Sequence, residues 1–446
     1  MSEPVGLGIV GCGYVFDLYM ATMARHPGLR VISVYDRDPA RVAAVTAHYG
    51  LAGVGSLEGL LGDPAVEIVV NLTSVASHET VTRAALVAGK HVFCEKPFTT
   101  TLEAAQALVS LAEGRGLRIA TAPANPLAAT AQTLWKAVED GAVGPVRLIY
   151  AEFDDNPVYL LGPENWRSAS GAPWPYLDEY ATGCTLEHAG YHLSWMCMIF
   201  GPVRSVTAFS KVTVPDKTAE AVERPDTPDF SVGCLDFASG VTARVTFSIG
   251  APLDHRMRII GRDGQLSVDT YRNDRCPVRL ERFSDLSLKA RNLISVRTGW
   301  LLKRLFGADG RAVALAESPP PGRDSLPALD DGKWWRRRTV MSRLRRREMG
   351  SQDKTLGIAE LADALRTDRP HFPGHDMILH VTELTLALQA GGTDSGARRL
   401  TTSFEPPALP ARTRQAGIDY RAAGEPGWMA RLMRRAIGGR RLGRSG

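Results

Sequence analysis

The sequence predicts an α/β domain built on a doubly wound parallel sheet, followed by an α+β domain with a large, mainly antiparallel open sheet. Three observations predict it. Residues 1–122 alternate short apolar runs with helical stretches, the rhythm of parallel strands covered on both faces. From Gly141 onward, β-branched runs are joined by tight turns such as Ala238-Ser239-Gly240 and Arg262-Asp263-Gly264. The 446 residues, 44% hydrophobic and 23% charged, suffice for two or three globular cores.

In the first domain, Val5 to Val10 reads as a strand that runs straight into Gly11-Cys12-Gly13, and Tyr14 to Arg25 continues as a helix. Strand, glycine turn and helix are the context of a Rossmann dinucleotide fingerprint. Gly11 makes the turn and Gly13 lets the backbone approach a pyrophosphate. Cys12, Tyr14 and Val15 frame the helix N-terminus on which it would lie. Phe16 stands where the fingerprint has its third glycine. The strand Leu29 to Tyr35 ends at Asp36, about 20 residues on, where a carboxylate accepts from a ribose 2′-hydroxyl. That charge repels a 2′-phosphate and favours NAD, whereas Arg37 beside it leaves NADP open. A plain turn before Asp38-Pro39 is the bland alternative. Ile68 to Leu72 is a further buried strand, and Leu72, Thr73 and Ser74 at its end are assigned to the cofactor. His78 reads either as the cap of a helix beginning near Glu79 or as a cofactor contact.

The next strand organises the domain. Gly89 closes a helix, His91 to Cys94 is a buried strand, and Glu95-Lys96-Pro97 follows at its carboxyl end. Ligands bind at that end in open α/β sheets, and proline fixes the backbone directly after the lysine. Glu95 and Lys96 are therefore placed at the cofactor, with Lys96 a catalytic candidate as well. A solvated ion pair on a loop is the bland reading. Leu102 to Gly114 is then a helix and Arg118 to Thr121 a last strand.

The second domain is expected over 123–288 and 350–410. Inside it, Leu186 to Phe200 has helical character and puts His188 and His192 on one face. Core or capping histidines compete with general acid/base work. A metal site with Cys184 is disfavoured because no further ligand cluster appears, so no metal is expected. The loop 154–181 carries Asp154-Asp155-Asn156, Trp166-Arg167, Trp174 and Asp178-Glu179. Aromatic faces with carboxylates and an arginine suit a sugar ring, and an incidental exposed loop is the alternative. Asn125, Trp166, Arg167, Glu187 and Tyr191 are assigned to the substrate.

In order along the chain stand G-I-V-G-C-G at 8–13, Asp36, A-L-V-A-G-K-H-V-F-C-E-K-P at 85–97, G-A-V-G-P-V at 141–146 and a G-x-H helix at 190–192. With these the chain resembles the Gfo/Idh/MocA family of NAD(P)-dependent oxidoreductases over about 1–288 and 350–410. The resemblance implies hydride transfer between nicotinamide and a hydroxyl or ketone carbon of a sugar, cyclitol or sugar nucleotide. It also implies that Lys96 approaches the reacting hydroxyl and His192 is its acid/base partner; His188, on the same helix face, is a further catalytic candidate. Many relatives have D-x-G-x-H-x-x-D, whereas this chain has His188 and Trp195 at the aspartate positions, leaving Glu187 to supply a carboxylate. On the residues alone, a lysine working near neutrality is expected to have its pKa lowered by burial and neighbouring cations. A non-catalytic dinucleotide- and sugar-binding sensor or membrane-side scaffold is the rival reading. NAD-dependent glycoside cleavage is a further one.

Six cysteines without C-x-x-C pairing read as reduced thiols of a cytoplasmic protein. No signal peptide or spanning run is visible. The net charge of +5 is uneven: residues 289–347 carry 15 Lys+Arg against 5 Asp+Glu, and 412–446 carry 9 against 2, leaving −12 on the remainder. A basic insertion (289–349) and a basic tail (411–446) are thus appended to an acidic body. Their Leu, Ile, Trp and Phe residues predict peripheral contact with an anionic membrane, solvated segments being the alternative. No recognised nucleic-acid module accompanies the arginines. A homo-oligomer is expected from the open sheet.

Overall fold

The computed structural model describes residues 3–224, 226–306, 310–316, 352–394 and 396–420. Five strands, β1 (Val5–Val10), β2 (Leu29–Tyr35), β3 (Ile68–Asn71), β4 (His91–Cys94) and β5 (Ile119–Thr121), form a parallel sheet in the order β2-β1-β3-β4-β5. Every residue of β1 and β3 is buried, which is why Val5–Val10 and residues 68–70 read as unbroken apolar runs rather than alternating ones. Beyond β2 a single parallel bridge among the described residues, Val34 to Gly53, stands at the sheet's outer edge. Successive connections leave β1 in opposite directions, to β2 and to β3. The crevice therefore opens at the carboxyl ends of β1 and β3.

Gly11 has φ +101°, and a Cβ there would lie 2.5 Å from the Leu72 carbonyl oxygen, so the turn after β1 admits no side chain. Phe16, in the third glycine's place, is fully buried, with its ring 5.8 Å from that of Tyr49. Helix Tyr14–Met23 thus packs through an aromatic side chain instead of by close backbone approach.

Nine strands make the second sheet: β6 (Val146–Asp154), β7 (Val203–Lys211), β8 (Phe230–Phe237), β9 (Thr242–Ser248), β10 (Met257–Gly261), β11 (Gly264–Val268), β12 (Arg279–Arg282), β13 (Arg311–Ala312) and β14 (Arg398–Arg399). Their order is β13-β12-β11-β10-β6-β9-β8-β7-β14. All neighbours are antiparallel except β6 and β9, which run parallel from Leu148/Thr242 to Asp154/Ser248. The exception arises because β7, β8 and β9 meander back to β6 after a helical excursion. One face of the sheet is covered by helix Cys184–Phe200, in which all but Gly190 and Ile199 are buried. Such a helix has no polar face to display, so its histidines sit among side chains from the outset.

The returning segment divides between the two sheets. Helix Leu356–Arg366, expected in the second domain, places Ile358, Leu361 and Ala362 in the core of the parallel sheet with Phe93. Helix His375–Gln389 packs against Cys184–Phe200, β7 and helix Leu102–Glu113. The first part of the basic insertion and the residues just before it form three short helices, Asp285–Ala290, Ile294–Thr298 and Trp300–Phe306. The arginine clusters at 333–347 and the tail beyond 420 lie outside the described residues. No helix among the described residues is long and apolar enough to cross a membrane.

Candidate active site

A cleft of about 2490 Å³ runs along the carboxyl edge of the parallel sheet and under the second sheet. Single-ligand pockets hold roughly 300–1,000 Å³, so this one has room for a dinucleotide and a second molecule. At one end Gly13 precedes helix Tyr14–Met23 and offers no side-chain cap. A Cβ on Gly13 would meet only the Arg41 guanidinium, at 3.5 Å, so the mouth of the helix is open. Tyr14, Val15, Asp36, Arg37, Leu72, Thr73 and Ser74 line this end, whereas the Cys12 side chain is buried beneath it. Asp36 accepts from the Cys12 N–H at 2.7 Å and the Asp38 N–H at 2.9 Å, which fixes the carboxylate at the tip of β2. These residues fit a dinucleotide. Gly11, Gly13 and the first helical N–H groups suit its pyrophosphate, and Asp36 suits a ribose hydroxyl.

His78 is buried at the cleft wall and does not cap its helix. Its helix starts at Val75, with no side-chain cap, instead of near Glu79. Nδ1 lies 2.7 Å from the Pro97 carbonyl oxygen and Nε2 3.1 Å from that of Thr73. Two carbonyls accept only if both ring nitrogens donate, so the ring is an imidazolium that ties the loop after β3 to the loop after β4. Burial opposes that charge, but Cys94, the Pro97 carbonyl and Glu95 outweigh it and raise the pKa to about 9.

Glu95 is buried and held on both sides, accepting from the Tyr19 hydroxyl at 2.9 Å and the Lys96 N–H at 2.8 Å. This support aims Lys96 across the cleft, where its ammonium donates to Glu187 on helix Cys184–Phe200. Burial works against the ammonium, yet Glu187, Glu179, Tyr191 and Glu95 together hold its pKa well above the ordinary lysine value. The expected lowering by neighbouring cations is therefore corrected: carboxylates, not imidazoles, face this lysine. Burial and the neighbouring Glu179 push Glu187 up to about 7 despite the contact with Lys96.

His188 lines the same cleft, with Nε2 3.0 Å from Glu179 and 3.8 Å from Asp155. Its ring stacks on Phe153 at 4.6 Å, and Nδ1 has no hydrogen-bond partner among the described residues. Arg272 donates to both oxygens of Asp155, at 2.7 and 2.6 Å, and with His255 and His188 holds that carboxyl below its usual range despite burial. Tyr191 stacks on Tyr271 at 4.3 Å and accepts from Lys354 Nζ at 3.1 Å.

His192 does not join them. It is fully buried, lies outside the cleft lining, and sits edge-on to Phe153 and Tyr271. The ring lies against the His255 backbone without a well-formed hydrogen bond, and burial pushes its pKa down to about 3. The i, i+4 spacing placed both histidines on one face correctly, but that face sinks into the sheet one turn beyond His188. Asn125 is also buried away from the cleft and donates to the Tyr191 carbonyl at 3.2 Å. Trp166 and Arg167 do line the cleft, with Trp166 against Trp174 and the Arg167 guanidinium turned back onto Glu164 and Trp166 carbonyls. Tyr271, Arg272 and Lys354 carry no sequence signal that singles them out. Among the described residues no group of His, Cys, Asp or Glu could hold a metal ion.

Fold and site together define a dinucleotide-dependent enzyme. Residues 5–122 match the Gfo/Idh/MocA model described as "Oxidoreductase family, NAD-binding Rossmann fold", and residues 131–267 match the Gfo/Idh/MocA C-terminal domain. The chain belongs to this family and is an NAD(P)-dependent oxidoreductase. It is 26% identical to trans-1,2-dihydrobenzene-1,2-diol dehydrogenase of Bos taurus, over 59% of this chain and 72% of the relative. It is 24% identical to inositol 2-dehydrogenase of Ralstonia nicotianae, over 73% of this chain and 89% of the relative. Among solved structures, the WlbA dehydrogenase of Bordetella pertussis in complex with NADH and UDP-GlcNAcA has a similar fold, with TM-score 0.61 and 19% identity over 90% of this chain and 99% of that one. The aldose-aldose oxidoreductase of Caulobacter crescentus has TM-score 0.63 at 19% identity, over 89% and 100%.

The His78 imidazolium gives stability a defined pH dependence. Its folded pKa of about 9 exceeds the ordinary 6.5, so its contribution is complete below pH 6.5 and is lost as pH rises through 9. His78→Phe is expected to lower the melting temperature markedly at pH 6 and much less at pH 9.5. Calorimetry across that range checks it, and a pH-independent difference would exclude the buried cation.

Proposed function

We propose that this oxidoreductase transfers hydride between NAD and a hydroxyl-bearing carbon of a sugar or cyclitol, with Lys96 and Glu187 moving the hydroxyl proton. The observation that carries the reading is the Lys96–Glu187 contact across the cleft, beside the carboxyl ends of β1 and β3. NAD, held by the residues named above, supplies the hydride acceptor or donor. Lys96 donates to the substrate oxygen and orients it. Nζ first passes an ammonium proton to Glu187 Oε2, and the lone pair this frees takes the hydroxyl proton as hydride leaves the carbon, so the lysine ends the step as the ammonium it began as. Glu187, raised to about 7, has the affinity a proton acceptor needs near neutral pH. His188, paired to Glu179, flanks the substrate, and the Trp166–Trp174 pair offers a flat apolar wall to a ring. Asp36 supports NAD over NADP, because its fixed carboxylate opposes a 2′-phosphate while Arg37 and Arg41 also line that end. The same reading includes a homo-oligomer through the outer face of the nine-stranded sheet, where Leu148 and Phe209 are exposed; sedimentation velocity showing only monomer would remove that part.

Steady-state rates with NAD and NADP against a panel of sugars, cyclitols and sugar nucleotides test the whole proposal. NAD is expected to be preferred by about tenfold or more. Lys96→Ala should keep NADH binding, measured by fluorescence titration, and lose roughly 10²–10⁴-fold in turnover. In the oxidation direction the wild-type rate should rise with pH through about 7, as Glu187 deprotonates, and Glu187→Gln should abolish that limb. An unchanged pH profile in Glu187→Gln would reject the relay.

The two histidines separate in the same assay. His188→Ala is expected to cost roughly 10²-fold in kcat/KM. His192→Leu should leave turnover within a few-fold of wild type and act on melting temperature instead, since its ring touches only the core. The reverse ranking would overturn the assignment.

A further inference from the structure

We infer that the segment from Ser284 to Phe306 is a docking surface for an anionic lipid bilayer. It is an excursion between the last two strands at one end of the sheet: β12 leads into it, and the chain returns to β13, which pairs with β12 at Arg279/Ala312 and Leu280/Arg311. The base is firmly tied. Ser284 and Ser287 form a reciprocal cap on helix Asp285–Ala290, and Arg291 pairs with buried Glu281 of β12.

The three short helices pack on one another around a small core of their own, Ala290 and Val296 with Leu302 against them, separate from the main cores. Half of the side chains they leave exposed from Leu288 to Leu301 are large and apolar. Trp300 is 72% and Ile294 69% exposed, with Leu288, Leu293 and Leu301 exposed beside them. Five large apolar side chains within 14 residues are nearly half of those exposed among the described residues. Ordinary surfaces scatter such residues singly.

Charge selects the occupant. From Ser284 to Phe306 the sequence holds five Lys or Arg and one acidic residue, Asp285, while the chain outside its two basic segments carries −12. Lys289 and Arg297 are exposed among the apolar side chains. A self-complementary contact with a second copy would oppose these cations to their own equivalents. An anionic membrane instead accepts tryptophan and leucine at the headgroup boundary and pairs the lysine and arginine with phosphate. The surface lies at the β13 end of the second sheet, so docking leaves the Lys96 cleft free to work.

Flotation of the full-length protein with phosphatidylcholine vesicles, with and without about 30% phosphatidylglycerol, tests this. Wild type should bind only the anionic vesicles, and more weakly as salt rises. Ile294→Ser with Trp300→Ser, and separately Lys289→Glu with Arg297→Glu, should each reduce binding by about tenfold or more at unchanged turnover. Absence of wild-type binding at moderate salt overturns the inference. So does undiminished binding of both variants, which would move the contact to the basic segments 333–347 or 421–446. Self-association that the Ile294/Trp300 variant abolishes would assign the surface to a second copy and overturn it as well.

Discussion

Everything in the site depends on one contact between two lobes, the Lys96 ammonium against the Glu187 carboxylate. Glu187 is buried and the Lys96 side chain only 20% exposed at the cleft, so removing either partner would strand a largely buried charge, a cost of up to about 3–5 kcal/mol in fully buried pairs. The pair is therefore kept together, and it fixes helix Cys184–Phe200 against the end of β4. It also sets the protonation states: Lys96 stays charged, and Glu187 becomes the group that titrates near neutrality.

That contact is built on a second layer of fixed groups. Glu95 receives the Tyr19 hydroxyl and the Lys96 N–H, and His78 donates to carbonyls on the loops after β3 and β4. A buried anion and a buried cation thus flank the lysine's own backbone, each neutralising part of the other's desolvation cost. On the opposite wall, Glu179, His188, Asp155 and Arg272 form a continuous chain of polar contacts.

His192 shows how far local pattern reasoning reaches. A four-residue spacing guarantees a common helix face but says nothing about how deep each turn lies. Here the helix descends into the sheet, so His188 meets the cleft and His192 meets Phe153 and Tyr271. Glu187, one position off the expected aspartate, takes the lysine because the helix presents it, not His188, to the tip of β4. Arg272 and Lys354 arrive from loops distant in sequence, so no motif could have grouped them with Lys96.

By itself the sequence determined the strand–glycine–helix turn, the acidic tip of β2 and the lysine at the end of β4, because each is dictated by backbone geometry within a few residues. It also determined the two-sheet architecture, through a change of period from unbroken to alternating apolar runs. Only the tertiary structure decided which histidine reaches the cleft, that carboxylates rather than imidazoles face Lys96, and that Leu356–Arg366 completes the parallel sheet's core. Those outcomes follow from burial depth and long-range charge, and both depend on how separate elements pack rather than on any local pattern.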